Sequence, residues 1–158
     1  MAAPSATTRE TPDGIPLRDG FSTKVTFESD PDISFWEREV TPPGIDGGEP
    51  VPQTTMHNLI WRTMRPRFLK TLTPMSLTAA YDPDLYDEAL AIINVETTVT
   101  VTFTDLSTLA FFGYLQKFDP GNHVEGTQPD CGIVIIPTNW DHASSVEAGP
   151  TMTEIAGT

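Results

Sequence analysis

Residues 95–103 read Val-Glu-Thr-Thr-Val-Thr-Val-Thr-Phe. In an extended chain Val95, Val99, Val101 and Phe103 share one side with Thr97, and Glu96, Thr98, Thr100, Thr102 and Thr104 share the other. That is the period of two of a half-buried strand, written in the β-branched residues that suit a pleated surface. A strand with one apolar face needs an apolar layer to cover it, and both flanks supply material. Downstream, Asp105-Leu106-Ser107 makes a turn and Thr108–Phe118 returns with apolar groups on both faces, Leu109, Phe111 and Leu115 against Phe112, Tyr114 and Phe118. Upstream, Asp82-Pro83-Asp84-Leu85 opens a helix: Asp82 is suited to cap it, and Pro83 to its first position, where a missing N–H costs nothing. Leu85, Ala89, Ile92 and Ile93 then recur at helical steps until Asn94, a stripe of about three turns made to lie on a sheet.

Further strands follow from the same pattern. Phe21, Val25 and Phe27 alternate with Ser22, Lys24 and Thr26; Ile33–Val40 supplies a second strand; Phe68–Tyr81 a third, interrupted at Thr73-Pro74 because proline cannot donate to a ladder; and Cys131–Pro137 a last one. With 23 threonines, and 15 prolines and 11 glycines set mainly between apolar runs, the chain reads as many short elements. The expected class is mainly β (β-rich α+β), a β-sandwich or curved sheet with one flanking helix. Residues 1–16 and 140–158 carry few large apolar groups and read as N- and C-terminal arms about a domain of residues 17–139.

Twenty-two acids against nine bases give a formal charge of −13 over 158 residues, which disfavours gripping nucleic acid or an anionic membrane. No basic region followed by an apolar run opens the chain, and no stretch nears the roughly 18 apolar residues of a membrane helix. The single cysteine, Cys131, forms no intrachain disulfide and lies in an apolar strand that would dull it as a nucleophile. The histidines at 57, 123 and 142 lack metal-ligand spacing, and the acids at 82, 84 and 87 put Tyr86 and Asp87 where a calcium loop needs a ligand and a glycine. There is no nucleophile elbow and no phosphate loop. The expectation is no enzyme, no metal and no cofactor.

Interaction chemistry remains. Residues 41–53, Thr-Pro-Pro-Gly-Ile-Asp-Gly-Gly-Glu-Pro-Val-Pro-Gln, are too long and polar for a tight turn, and a loop of that length in a compact domain is usually functional. They carry Asp46 and Glu49, whereas Arg62, Arg65, Arg67 and Lys70 place four of the nine bases within nine positions. Such patches either pair within one molecule, worth about 0–1 kcal/mol per exposed pair, or match head to tail between copies as a basic interface patch.

Several stretches in this order resemble the major tail tube proteins of long-tailed (siphovirus-type) bacteriophages: Asp19-Gly20-Phe21-Ser22-Thr23, Ser34-Phe35-Trp36-Glu37, Thr41–Gly48, Thr54–Asn58, Trp61-Arg62-Thr63, Leu69–Thr73, Ser76–Pro83, Phe112–Phe118 and Pro137-Thr138-Asn139. The likeness spans roughly Leu17–Asn139. It implies subunits in rings of six whose sheets join into a barrel, rings stacked into a hollow tube, and a long loop after the second strand that reaches the adjacent ring. Here that loop holds Pro42, Pro43, Gly44, Asp46, Gly47, Gly48 and Glu49. It also implies a tape-measure protein, tail terminator and distal tail proteins as partners, passage of viral DNA without specific binding, and a place in the virion tail after assembly in the host cytoplasm. Glu96, Thr98, Thr100 and Thr102 are then candidates to line the lumen, a non-basic face to which phosphates would not adhere. Leu106 departs from the pattern, standing where a hairpin turn would favour glycine. Rival readings are a monomeric β-sandwich module binding through loops 41–53 and 119–128, a tube of a related injection or secretion apparatus, and, last, a hydrolase.

Overall fold

The structure, a computed structural model, describes residue 20 and residues 22–154. The expected N-terminal arm and Phe21 lie outside the described residues. In chain order come Lys24–Phe27 (β1), Trp36–Thr41 (β2), Ile45–Asp46 (β3), Val51–Pro52 (β4), Met64–Arg65 (β5), Thr71–Leu72 (β6), Met75–Ala80 (β7), Pro83–Ile92 (α1), Thr97–Thr102 (β8), Thr108–Asp119 (β9), Asp130–Pro137 (β10), Trp140–Asp141 (β11), Val146–Glu147 (β12) and Thr151–Thr153 (β13). The main sheet is antiparallel in the order β1-β8-β9-β10-β7-β2, with β13 also on β9. It is mainly β with one helix, and the sheet is curled strongly into a half-barrel.

Curling puts the core inside. Val25 and Phe27, Leu77 and Ala79, Val99 and Val101, Phe111 and Leu115, and Ile133 and Ile135 alternate inward from five strands, and Met75 joins them fully buried. The curl brings the ends of the sheet together: Glu37 of β2 accepts the Val25 N–H of β1 at 3.0 Å, and Phe27 meets Phe35 edge-to-face at 5.9 Å. Helix α1 closes the layer with Leu85, Ala89 and Ile92. Its cap is as its residues dictate, Asp82 accepting the Asp84 N–H at 3.1 Å with Pro83 next, and Asn94 at φ 61 ends it while donating to the Leu115 carbonyl at 3.0 Å.

Differences from the expected strands have local causes. β8 starts at Thr97 because the Val95 N–H is spent on the Ile92 carbonyl at the helix exit, leaving Val95 exposed. The turn at Leu106 spans Phe103–Ser107; Leu106 takes φ 68, and Asp105 holds the turn by accepting from the Ser107 N–H at 3.0 Å. Ile33 and Phe35 are buried ahead of β2, which begins at Trp36. Residues 140–153, expected as part of a C-terminal arm, run as the β11–β12 hairpin and then β13 against Thr108–Ala110 of β9. β13 buries none of its side chains, so hydropathy gives no sign of it; backbone pairing alone places it.

Candidate functional site

Strands β2 and β7 pair with each other, and everything between them leaves the half-barrel together. Ile45 pairs with Leu72 and Asp46 with Thr71; further out Val51 pairs with Arg65 and Pro52 with Met64. The long loop and the cationic segment are therefore the two legs of one arm, residues 42–74. Buried Pro43 and Leu72 root it, and Gly44 and Thr73 lock the base reciprocally, the Gly44 N–H on Thr73 Oγ1 and the Thr73 N–H on the Gly44 carbonyl, each at 2.8 Å. A bend follows where Asp46 accepts the Gly48 N–H at 2.8 Å. Gly48 sits at φ 83, a backbone conformation that favours glycine, with the Arg67 side chain beside it.

The tip is built around Asn58. Its Oδ1 accepts the Thr55 N–H at 2.9 Å and its Nδ2 donates to the Trp61 carbonyl at 2.8 Å, while Gln53 and Thr63 close the neck at 2.9 Å. From residue 44 to residue 71 every residue is exposed except half-buried Asn58. The exposed set is strongly apolar: Leu59 is 96%, Trp61 79%, Phe68 98% and Leu69 80% accessible, with Ile45, Met56, Ile60 and Met64 beside them. A monomer rarely leaves so many large apolar side chains of one projection in water, and such a surface marks a contact. The charge reading of the sequence missed this, although the run Leu59-Ile60-Trp61 is its visible trace.

Arg62, Arg65, Arg67 and Lys70 lie on the returning leg, opposite Pro42, Pro43, Gly44, Asp46, Gly47, Gly48 and Glu49 on the outgoing one. Proximity does not pair them. Among the described residues no ion pair joins the four cations to Asp46 or Glu49, and Arg67 Nε donates to the backbone carbonyl of Glu49 at 2.8 Å. With four bases and two acids the arm carries +2, which leaves −15 on the rest of the chain. The arm is thus a cationic, apolar projection from an acidic body.

Thr98, Thr100 and Thr102 stand on a separate surface, the face of β8 opposite buried Val99 and Val101. Thr26 of β1 and Ala110 of β9 flank Thr100 there. Glu96 precedes the strand, and its carboxylate pairs with the His142 imidazole of the β11–β12 hairpin. In that hairpin the Ser144 hydroxyl, ahead of the Ala143 and Ser144 backbone N–H groups, holds the Asp141 carboxyl below its ordinary range. Burial pushes the Cys131 thiol up, as expected for an inert core cysteine. Among the described residues no cluster of His, Cys, Asp or Glu could hold a metal, and no helix is long and apolar enough to cross a membrane.

No family model and no curated protein matches the chain. Solved structures do. A chain of the anti-feeding prophage (AFP) baseplate, determined by cryo-EM and 6-fold symmetrised, aligns with a TM-score of 0.58 at 9% identity, over 85% of this chain and 92% of that one. A crystal structure of Hcp protein aligns more loosely, with a TM-score of 0.48 at 10% identity, over 84% and 98%. The first likeness shows a shared fold.

Proposed function

We propose that this chain is a structural, non-catalytic subunit that assembles with its own copies into stacked six-membered rings, forming a hollow tube of the phage-tail type. The arm of residues 42–74 reaches the adjacent ring. Its exposed apolar residues and four cations find there the water-excluding surface and the acidic body they lack in one molecule. This arm is the single observation that carries the reading: 28 consecutive residues are spent on a hydrogen-bonded projection that stabilises nothing in its own core. Burying side chains such as Leu59, Trp61 and Phe68 contributes about 1.5–3 kcal/mol each, enough across one ring to hold a stack. The fold shared with a baseplate component, itself 6-fold symmetrised, supports the same reading.

In this assembly Thr98, Thr100 and Thr102 line the bore, with Glu96 at its edge, a hydroxyl surface that takes water; Lys24 of β1, paired with Thr102, stands at its margin. DNA passes without specific binding, and a tape-measure protein occupies the tube before it. Terminator and distal tail proteins cap the ends. The site is the virion tail, reached after assembly in the host cytoplasm.

Electron microscopy of the purified chain tests the proposal. Rings or hollow filaments are expected of the wild type. Replacing residues 45–71 by a short glycine link, across the base where Gly44 and Thr73 already bond and with Leu72 kept in the core, should leave a folded body that does not stack. A wild-type protein that stays monomeric at high concentration ends the proposal and returns the binding-module reading.

A further inference from the structure

The exposed apolar residues of the arm fall into two sets. One is the tip, Met56, Leu59, Ile60 and Trp61. The other surrounds a groove of ≈ 460 Å³ at the root, where Ile45, Phe68, Leu69 and Leu72 of the arm face Glu147 and Pro150 of the C-terminal segment. The arm cannot fold its own tip into its own groove. Cross-strand pairs at 45/72, 46/71, 51/65 and 52/64, and the Gln53–Thr63 bond beyond them, hold the tip out past the root.

Charge adds a direction. From residue 118 to residue 158 the chain holds six acids and no lysine or arginine, and the wall that this segment gives the groove carries Glu147, whereas the arm's own wall carries Lys70. The tip runs straight into Arg62 and Arg65. An apolar plug trailed by cations therefore meets an apolar slot with a carboxylate on its hairpin wall and Lys70 on its arm wall, which sets the side on which the cations lie. Each copy has one of each, which is the requirement for a heterologous contact that repeats without closing. Tryptophan and arginine at a desolvated centre are also the residues that most often dominate such contacts.

From this we infer that the groove between the arm root and the C-terminal hairpin is the receptor for the arm tip of a second copy, Leu59, Ile60 and Trp61 entering it while Arg62 and Arg65 lie toward Glu147 and away from Lys70. The inference rests on the proposed function and assigns the surface on which the arm lands. Two ring contacts of this kind per subunit, one given and one received, propagate the stack in one polarity.

Complementation tests it. A tip variant, Leu59→Ser with Trp61→Ser, and a groove variant, Phe68→Ser with Leu69→Ser, alter only exposed positions, so each should keep the wild-type far-UV spectrum and thermal midpoint. Neither should stack alone. Assembled separately into rings and then mixed in equal amounts, they should form ring pairs and no longer tubes, because the intact tips of one ring meet the intact grooves of the other and the contact cannot repeat; sedimentation velocity and negative-stain images read this. A groove variant that builds tubes of wild-type length while the tip variant does not overturns the groove assignment and leaves the proposed function standing. A mixture that pairs no better than its components also overturns it. A wild type that never assembles removes both.

Discussion

Asn58 is the residue on which the shape of the arm tip depends. It has no core to lean on, and its amide ties Thr55 to Trp61 by bonds worth about 0.5–1.5 kcal/mol each. Asn58→Ala should therefore leave the thermal midpoint unchanged while residues 55–61 gain fast backbone motion, read as lower 15N order parameters; rigid values in the variant would show that the tip is held by something else. Asp141 makes a second residue-level prediction. Its carboxyl is depressed chiefly by the Ser144 hydroxyl, so the contribution of that bond is present above the unfolded pKa near 3.9 and is lost as pH falls through the lower folded value. The hairpin is thus indifferent to pH near neutrality, and Ser144→Ala should raise the Asp141 midpoint in an NMR titration. Both residues lie in plain view in the sequence as turn-formers, but which of the groups two or three positions away they hold does not, since nothing in a short polar run says which oxygen meets which N–H.

Among the elements, the helix is the most legible and the arm the least. Asp82, Pro83 and the stripe Leu85, Ala89 and Ile92 each act locally, so the sequence alone places α1 to within a residue or two. Asp82→Ala should cost about 1 kcal/mol, lowering the melting temperature by about 2–4 °C; Asp82→Asn, which keeps an acceptor, should recover most of it, and an unmoved midpoint in Asp82→Ala would dismiss the cap. The arm has no comparable signal. Its paired segments are two residues long, too short for any period, and Ile45 finds Leu72 across 27 positions. Proline and glycine mark where the legs bend but not that they run together. On the proposed role, Arg65→Glu or Lys70→Glu should weaken stacking at constant protein concentration with stability held within about 0.5 kcal/mol; filaments of unchanged length would detach the cations from the contact.

For the whole molecule, folding and assembly draw on different residues. The half-barrel buries Phe27, Phe111, Leu115, Ile133 and Ile135, and residues 44–71 bury nothing large. Urea unfolding of the variant lacking residues 45–71 should accordingly show nearly the wild-type midpoint and slope, because the slope follows the surface exposed on unfolding. A markedly shallower slope would mean that the arm packs on the body in solution. Leu115→Ala behaves oppositely: it should cost about 2–5 kcal/mol and impair assembly only by unfolding the subunit. The acidic body and cationic arm belong to this scale too, since +2 against −15 is a property of the arm as a unit and of no single pair of charges.

Local chemistry was sufficient to set the strands around Val99, Phe111 and Ile133, the helix and its cap, and the mainly β class, because each follows from the period or the side chain of neighbouring residues. Tertiary structure alone decided that residues 41–53 and 62–70 form one projection, that Thr151–Thr153 returns to β9, and that Phe68 and Leu69 face solvent instead of the core. Those outcomes depend on which distant backbone groups come to lie opposite each other when the sheet curls, and backbone amides are the same at every position in the chain.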